Sequence, residues 1–74
     1  MAATNDFVWA TQLSLGTELT PRSMGAQLVR SELSLFTEIV DVLPASRADT
    51  VVVVHAGPAR PAAWRAELEE AGIL

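Results

Sequence analysis

Cysteine is absent from this 74-residue chain, so it can form neither disulfides nor thiolate metal sites. Histidine occurs once, as His55, which excludes a His-pair metal site within one chain. No metal and no cofactor are therefore expected. Lysine is also absent: the basic residues are Arg22, Arg30, Arg47, Arg60 and Arg65. Against nine acidic residues they leave a net charge of −4 and a pI of about 4.6. Such a chain is a poor generic binder of nucleic acid or of an anionic membrane surface. With the many alanines and valines, all-arginine usage suggests a GC-rich bacterial genome. No stretch approaches the roughly 20 apolar residues that span a bilayer. The opening Met-Ala-Ala-Thr-Asn-Asp has no basic region leading into an apolar core, so no secretory signal is expected and a cytoplasmic location is the default.

The length implies one domain, with a polar arm over residues 1–6 and a single α/β unit over 7–74. A domain this small buries only roughly 60% of its unfolded surface. Small domains usually compensate with disulfides, a metal or a partner, and here a partner is what remains. Half of the residues are hydrophobic and the mean hydropathy is +0.30, which also points to a buried interface.

Residues 7–15 alternate, with Phe7, Trp9, Thr11, Leu13 and Leu15 on one face, and read as a strand. Thr20-Pro21 is a helix start, a hydroxyl cap followed by proline at the first helical position. The helix is expected to run to about residue 43, because Pro44 disfavours helical geometry in the residue before it. The run Thr50-Val51-Val52-Val53-Val54-His55 reads as a strand covered on both faces, as in parallel sheets. After a turn over 56–60, residues 61–71 form a second helix, with Trp64 and Leu68 on its apolar face and Gly72 as its cap. Ile73-Leu74 reads as the start of a further strand. The order is β-α-β-α: a small α/β domain whose two-stranded parallel sheet is completed by oligomerisation.

On a helical wheel the first helix carries an apolar arc of roughly 200°, about twice what a surface helix needs. A second subunit is expected to cover part of it. Glu32 falls inside that arc. A carboxylate there must pair or take up a proton, which makes it a candidate catalytic acid beside the structural alternatives of a kink, a rim position or an Arg ion pair. His55 ends the second strand, where open α/β sheets place ligands, and is the second catalytic candidate. The turn through Gly57 and Arg60 enters a helix whose free N–H groups attract anions, although Pro58 and Pro61 remove donors and the spacing matches no phosphate loop. Arg22 stands in the first turn of the first helix, where a bound anion eases a cation's conflict with the helix dipole. Gly57, Arg60 and Arg22 are accordingly the ligand-binding candidates.

The segment His-Ala-Gly-Pro-Ala-Arg-Pro-Ala-Ala at residues 55–63 resembles in part the His-Ala-Arg-Pro-Ala segment of the phosphocarrier HPr family. There the histidine is followed directly by Ala-Arg-Pro, whereas Gly57-Pro58-Ala59 intervene here, and no residue role is carried over. The leading expectation is a small oligomeric interaction or regulatory module without catalytic activity, partnered by a second copy or another protein. The alternatives are a small enzyme or enzyme subunit using His55 and Glu32, and a small-anion-binding domain.

Overall fold

The computed structural model describes residues 8–19 and 22–74, with the side chains of residues 22 and 23 outside the description. The expected arm over residues 1–6 and the helix start at Thr20-Pro21 lie outside the described residues. The elements run β1 (Trp9–Ser14), α1 (Arg22–Leu33), β2 (Ile39–Pro44), β3 (Thr50–His55) and α2 (Pro61–Glu70).

The sheet corrects the expected topology. It has three strands in the order β1-β3-β2, and both pairings are antiparallel. A two-stranded parallel sheet is therefore wrong, although the domain remains a small α/β fold. The error arises in the first helix, which stops at Leu33 rather than near 43. Residues 34–38 turn, with Phe36 N–H donating to Leu33 O at 3.0 Å and Ile39 N–H to Phe36 O at 3.2 Å. The β-branched Ile39, Val40 and Val42 then form β2, which turns back through residues 45–49 to pair with β3. β1 and β2 run parallel on either side of β3, and α1 carries the chain between them. Pro44 closes β2 as an edge-strand residue, where its missing N–H costs no ladder bond, instead of stopping a helix.

Both helices pack on one face of the sheet. That face supplies Leu13 of β1, Val42 of β2 and Val51 and Val53 of β3. Against them lie Ala26, Val29 and Leu33 of α1 and Trp64 and Leu68 of α2. The i, i+4 pairs Val29–Leu33 and Trp64–Leu68 set each helix's buried stripe. β3 is thus covered on one side, not two: Val51, Val53 and His55 are buried while Val52 and Val54 are half-buried. Ile73 and Leu74 do not start a strand. Their amides cap α2 by donating to Leu68 O at 3.0 and 3.3 Å, and their side chains pack on the core.

Gly25 marks a close approach inside α1, where glycine is otherwise unfavourable. A Cβ placed there would stand 2.5 Å from Leu19 Cβ, so the bare glycine lets the segment leaving β1 lie directly on the helix.

Candidate functional site

The end of the sheet where β3 finishes gathers most of the chemistry-bearing side chains. His55 is only 2% exposed. Its Nδ1 lies 2.9 Å from Gly57 O, and its Nε2 lies 2.7 Å from Thr11 Oγ1 on the neighbouring β1. A carbonyl oxygen only accepts, so Nδ1 carries the proton and donates to Gly57. In the neutral ring Nε2 must then accept from the Thr11 hydroxyl. Gly57 makes this possible: its φ of 87° lies in the left-handed region that a side chain would strain, and it curls its carbonyl back onto the ring. Trp64 packs against the other side of the imidazole, with centroids 5.2 Å apart and planes tilted by 59°.

A second group adjoins the first through Trp64. Its indole N–H donates to Glu38 Oε2 at 3.0 Å. Arg60 grips the same carboxylate with two bonds, Nε to Oε2 at 2.9 Å and a terminal nitrogen to Oε1 at 3.0 Å, and lies 5.1 Å above the centre of the Phe36 ring. The backbone joins in, with Ala56 N–H donating to Glu38 O at 2.8 Å. Glu38 is 13% exposed. Its carboxyl is held below the usual range, first by the Trp64 N–H, then by its own backbone N–H and by Arg60, against the opposing effect of burial. This cluster fastens the turn before β2 to the loop before α2. Glu38 could not be singled out from the sequence, because its partners lie 22 and 26 positions away and meet only through the sheet order.

A pocket of about 520 Å³ opens beside His55. Trp9, Ala10 and Thr11 of β1 form one wall, and Gly57, Pro58 and Ala59 the other, with His55 between them. Register places Trp9, Thr11 and His55 on the same, helix-bearing face of the sheet. Among the described residues no charged side chain lines the pocket.

The candidates divide as follows. His55, Gly57 and Arg60 come together at this end, His55 and Gly57 on the pocket and Arg60 bound to Glu38. Glu32 is elsewhere: it is half-buried on α1 and shares a hydrogen bond with the carboxyl of Glu67 on α2. That bond, with the desolvation at the site and the charges of Glu32 and Glu70, raises the Glu67 carboxyl above its ordinary range. The pocket at His55 does not include Glu32. The side chain of Arg22 lies outside the described residues. Thr11, assigned from the sequence only to a strand face, and Trp9, read there as a strand-face or interface residue, are among the pocket residues outside the expected site. Among the described residues no group of three or more His, Asp or Glu side chains is placed to hold a metal ion, and no helix is long and apolar enough to cross a membrane. Compared with known proteins, the chain matches no family, no curated protein and no solved structure.

Proposed function

We propose that this chain is a cytoplasmic, non-catalytic interaction module that acts as a homodimer, joined through the outer edge of β1. The observation that carries this reading is the character of that edge. β1 reads Trp-Ala-Thr-Gln-Leu-Ser, with no charge, no proline and no bulge in its pairing. Such an edge lacks the usual devices that prevent strand addition. The opposite edge has them: β2 carries an irregularity between Ile39 and Asp41, a carboxylate at Asp41 and Pro44 at its end.

The geometry of the free edge follows from its ladder. Leu15 N–H donates to Asp49 O, so alternation aims the backbone groups of Ala10, Gln12 and Ser14 away from β3. Arg65 takes the Ser14 carbonyl. Among the described residues nothing takes the groups of Ala10 and Gln12, which suits them to a partner. Two β1 strands can meet antiparallel about a two-fold axis, each supplying the same residues to the other, and the result is a six-stranded sheet. The sheet face away from the helices would become continuous across the join. It exposes Val8 (53%) and Leu43 (44%), together with Ala10 and the half-buried Val52 and Val54.

Three features speak for a module without catalysis. Both ring nitrogens of His55 are engaged, the Arg60 guanidinium is bound to Glu38, and Glu32 meets another carboxylate rather than the histidine. Sedimentation equilibrium tests the dimer. The wild type is expected at twice the chain mass of 7.9 kDa at tens of micromolar. Gln12→Pro removes an outward N–H that the β3 ladder does not use, and is expected to give a folded monomer with an unchanged circular dichroism spectrum. A wild type that stays at monomer mass overturns the proposal, and a dimeric Gln12→Pro overturns its placement on β1.

A further inference from the structure

The pocket beside His55 has a defined shape and a defined hydrogen-bond polarity, and neither is used by the dimer reading. Its volume of about 520 Å³ falls within the roughly 300–1,000 Å³ of small-molecule sites, which are apolar with a few placed polar groups. Trp9 is 59% exposed, although its cross-strand partner His55 is covered by Trp64. An exposed tryptophan on a short strand is a rigid flat surface that binds with little loss of side-chain entropy. Facing it, Gly57, Pro58 and Ala59 present a wall with no charge. Flat apolar rings fit between such walls, and among the described lining residues an ionised ligand would find no counter-charge.

The polar pair inside fixes the ligand's chemistry further. The chain of bonds runs from Thr11 O–H to His55 Nε2 and from His55 Nδ1–H to the carbonyl of Gly57. With its only proton committed to Nε2, the Thr11 oxygen has acceptor capacity alone to offer a newcomer. We infer that this pocket binds a small, uncharged aromatic molecule carrying one N–H or O–H donor, stacked on Trp9 and hydrogen-bonded to Thr11 Oγ1.

Indole is a suitable probe, with 1-methylindole as the same ring lacking the donor and indole-3-carboxylate as a charged variant. Titration of the ¹⁵N-labelled protein is expected to give saturable shifts at the Trp9 side-chain N–H and at the amides of Thr11, Gly57 and Ala59. 1-Methylindole is expected to bind roughly three- to tenfold more weakly, the value of one neutral hydrogen bond, and indole-3-carboxylate more weakly still. Because the donor is removed on the ligand, this comparison leaves the fold untouched. Trp9→Ala, at an exposed position, is expected to stay folded and lose saturable binding. Absence of saturable shifts up to the solubility of indole, shifts centred away from β1 and residues 57–59, equal binding of indole and 1-methylindole, or unchanged binding by Trp9→Ala would each overturn the inference.

Discussion

The indole N–H of Trp64 and the carboxylate of Glu38 meet at 3.0 Å, joining α2 to the turn that enters β2. Trp64 is fully buried, so its donor has no access to water if Glu38 is removed. Glu38→Ala is therefore expected to cost about 1–3 kcal/mol, the penalty of a buried unpaired donor. Trp64→Phe removes that donor with part of the ring. In its background the same Glu38→Ala change should cost less, with a coupling of about 0.5–3 kcal/mol between the two sites. Urea unfolding of the four chains at one protein concentration measures it. Additive losses would mean that the bond contributes nothing.

Two glutamates set opposite pH dependences. The folded state lowers the Glu38 carboxyl below its ordinary 4.5. The stability it contributes is present above that value and is lost as pH falls through the lowered folded value. The folded state raises Glu67, chiefly through its hydrogen bond with Glu32. A shared proton favours folding at acid pH, so this contribution declines as pH rises from 4.5 through the raised folded value. Glu32→Gln keeps a hydrogen-bond donor for Glu67 and removes the like charge. It is expected to unfold at a higher temperature than wild type at pH 7, with the difference shrinking towards pH 4. Equal stability of the two at both pH values would show that the glutamates do not interact.

The identity of the local pieces could be read from residues, but their arrangement could not. The strand over 50–55 and the helix beginning at Pro61 carry their own signals, a β-branched run and a proline at the first helical turn, and both stand where expected. The failure lies at 34–44. There Ser34, Thr37, Glu38 and Asp41 continue the polar side of a helical wheel, so the helical pattern runs on past Leu33, and the excess width of the apolar arc opposite them was the sign that a helix had ended. β2 does not show the alternation that marks a strand, because the irregularity at Val40 breaks its period of two. Without β2, the order of strands and the meeting of Glu38 with Trp64 and Arg60 are out of reach. His55 was singled out as the end of a strand and Gly57 as part of the turn into α2, but the rule behind the first belongs to parallel sheets, and the pocket that both line forms on an antiparallel one.

Gly25 offers a test of packing against propensity. In an isolated helix Gly→Ala gains about 1 kcal/mol. Here the new Cβ would meet Leu19 Cβ at 2.5 Å, closer than packed carbons can stand, and a Cβ atom cannot rotate away. Gly25→Ala is expected to destabilise the domain by about 1–3 kcal/mol, the usual range for overpacking. Combining it with Leu19→Gly, which removes the opposing Cβ, should restore helix propensity as the dominant effect. A stabilised single variant would show that the 15–19 segment does not lie on α1 as described.

The hydrogen bonds of His55 dictate its tautomer. Gly57 offers only a carbonyl, so the neutral ring must hold its proton on Nδ1 and leave Nε2 as an acceptor for Thr11. Long-range ¹H–¹⁵N spectra distinguish the two tautomers, and the neutral ring of His55 is expected as the Nδ1–H form. Thr11→Ser preserves the donor to Nε2 and should keep both the tautomer and most of the stability. Thr11→Val is close in shape but leaves a buried nitrogen without a partner, at a cost of about 1–3 kcal/mol. The buried ring of Trp64 on one side and the Gly57 bond on the other prevent the imidazole from turning to find a substitute. An Nε2–H tautomer in the wild type, or a Thr11→Val variant as stable as Thr11→Ser, would contradict the bond between Thr11 and His55 and with it the acceptor polarity assigned to the pocket.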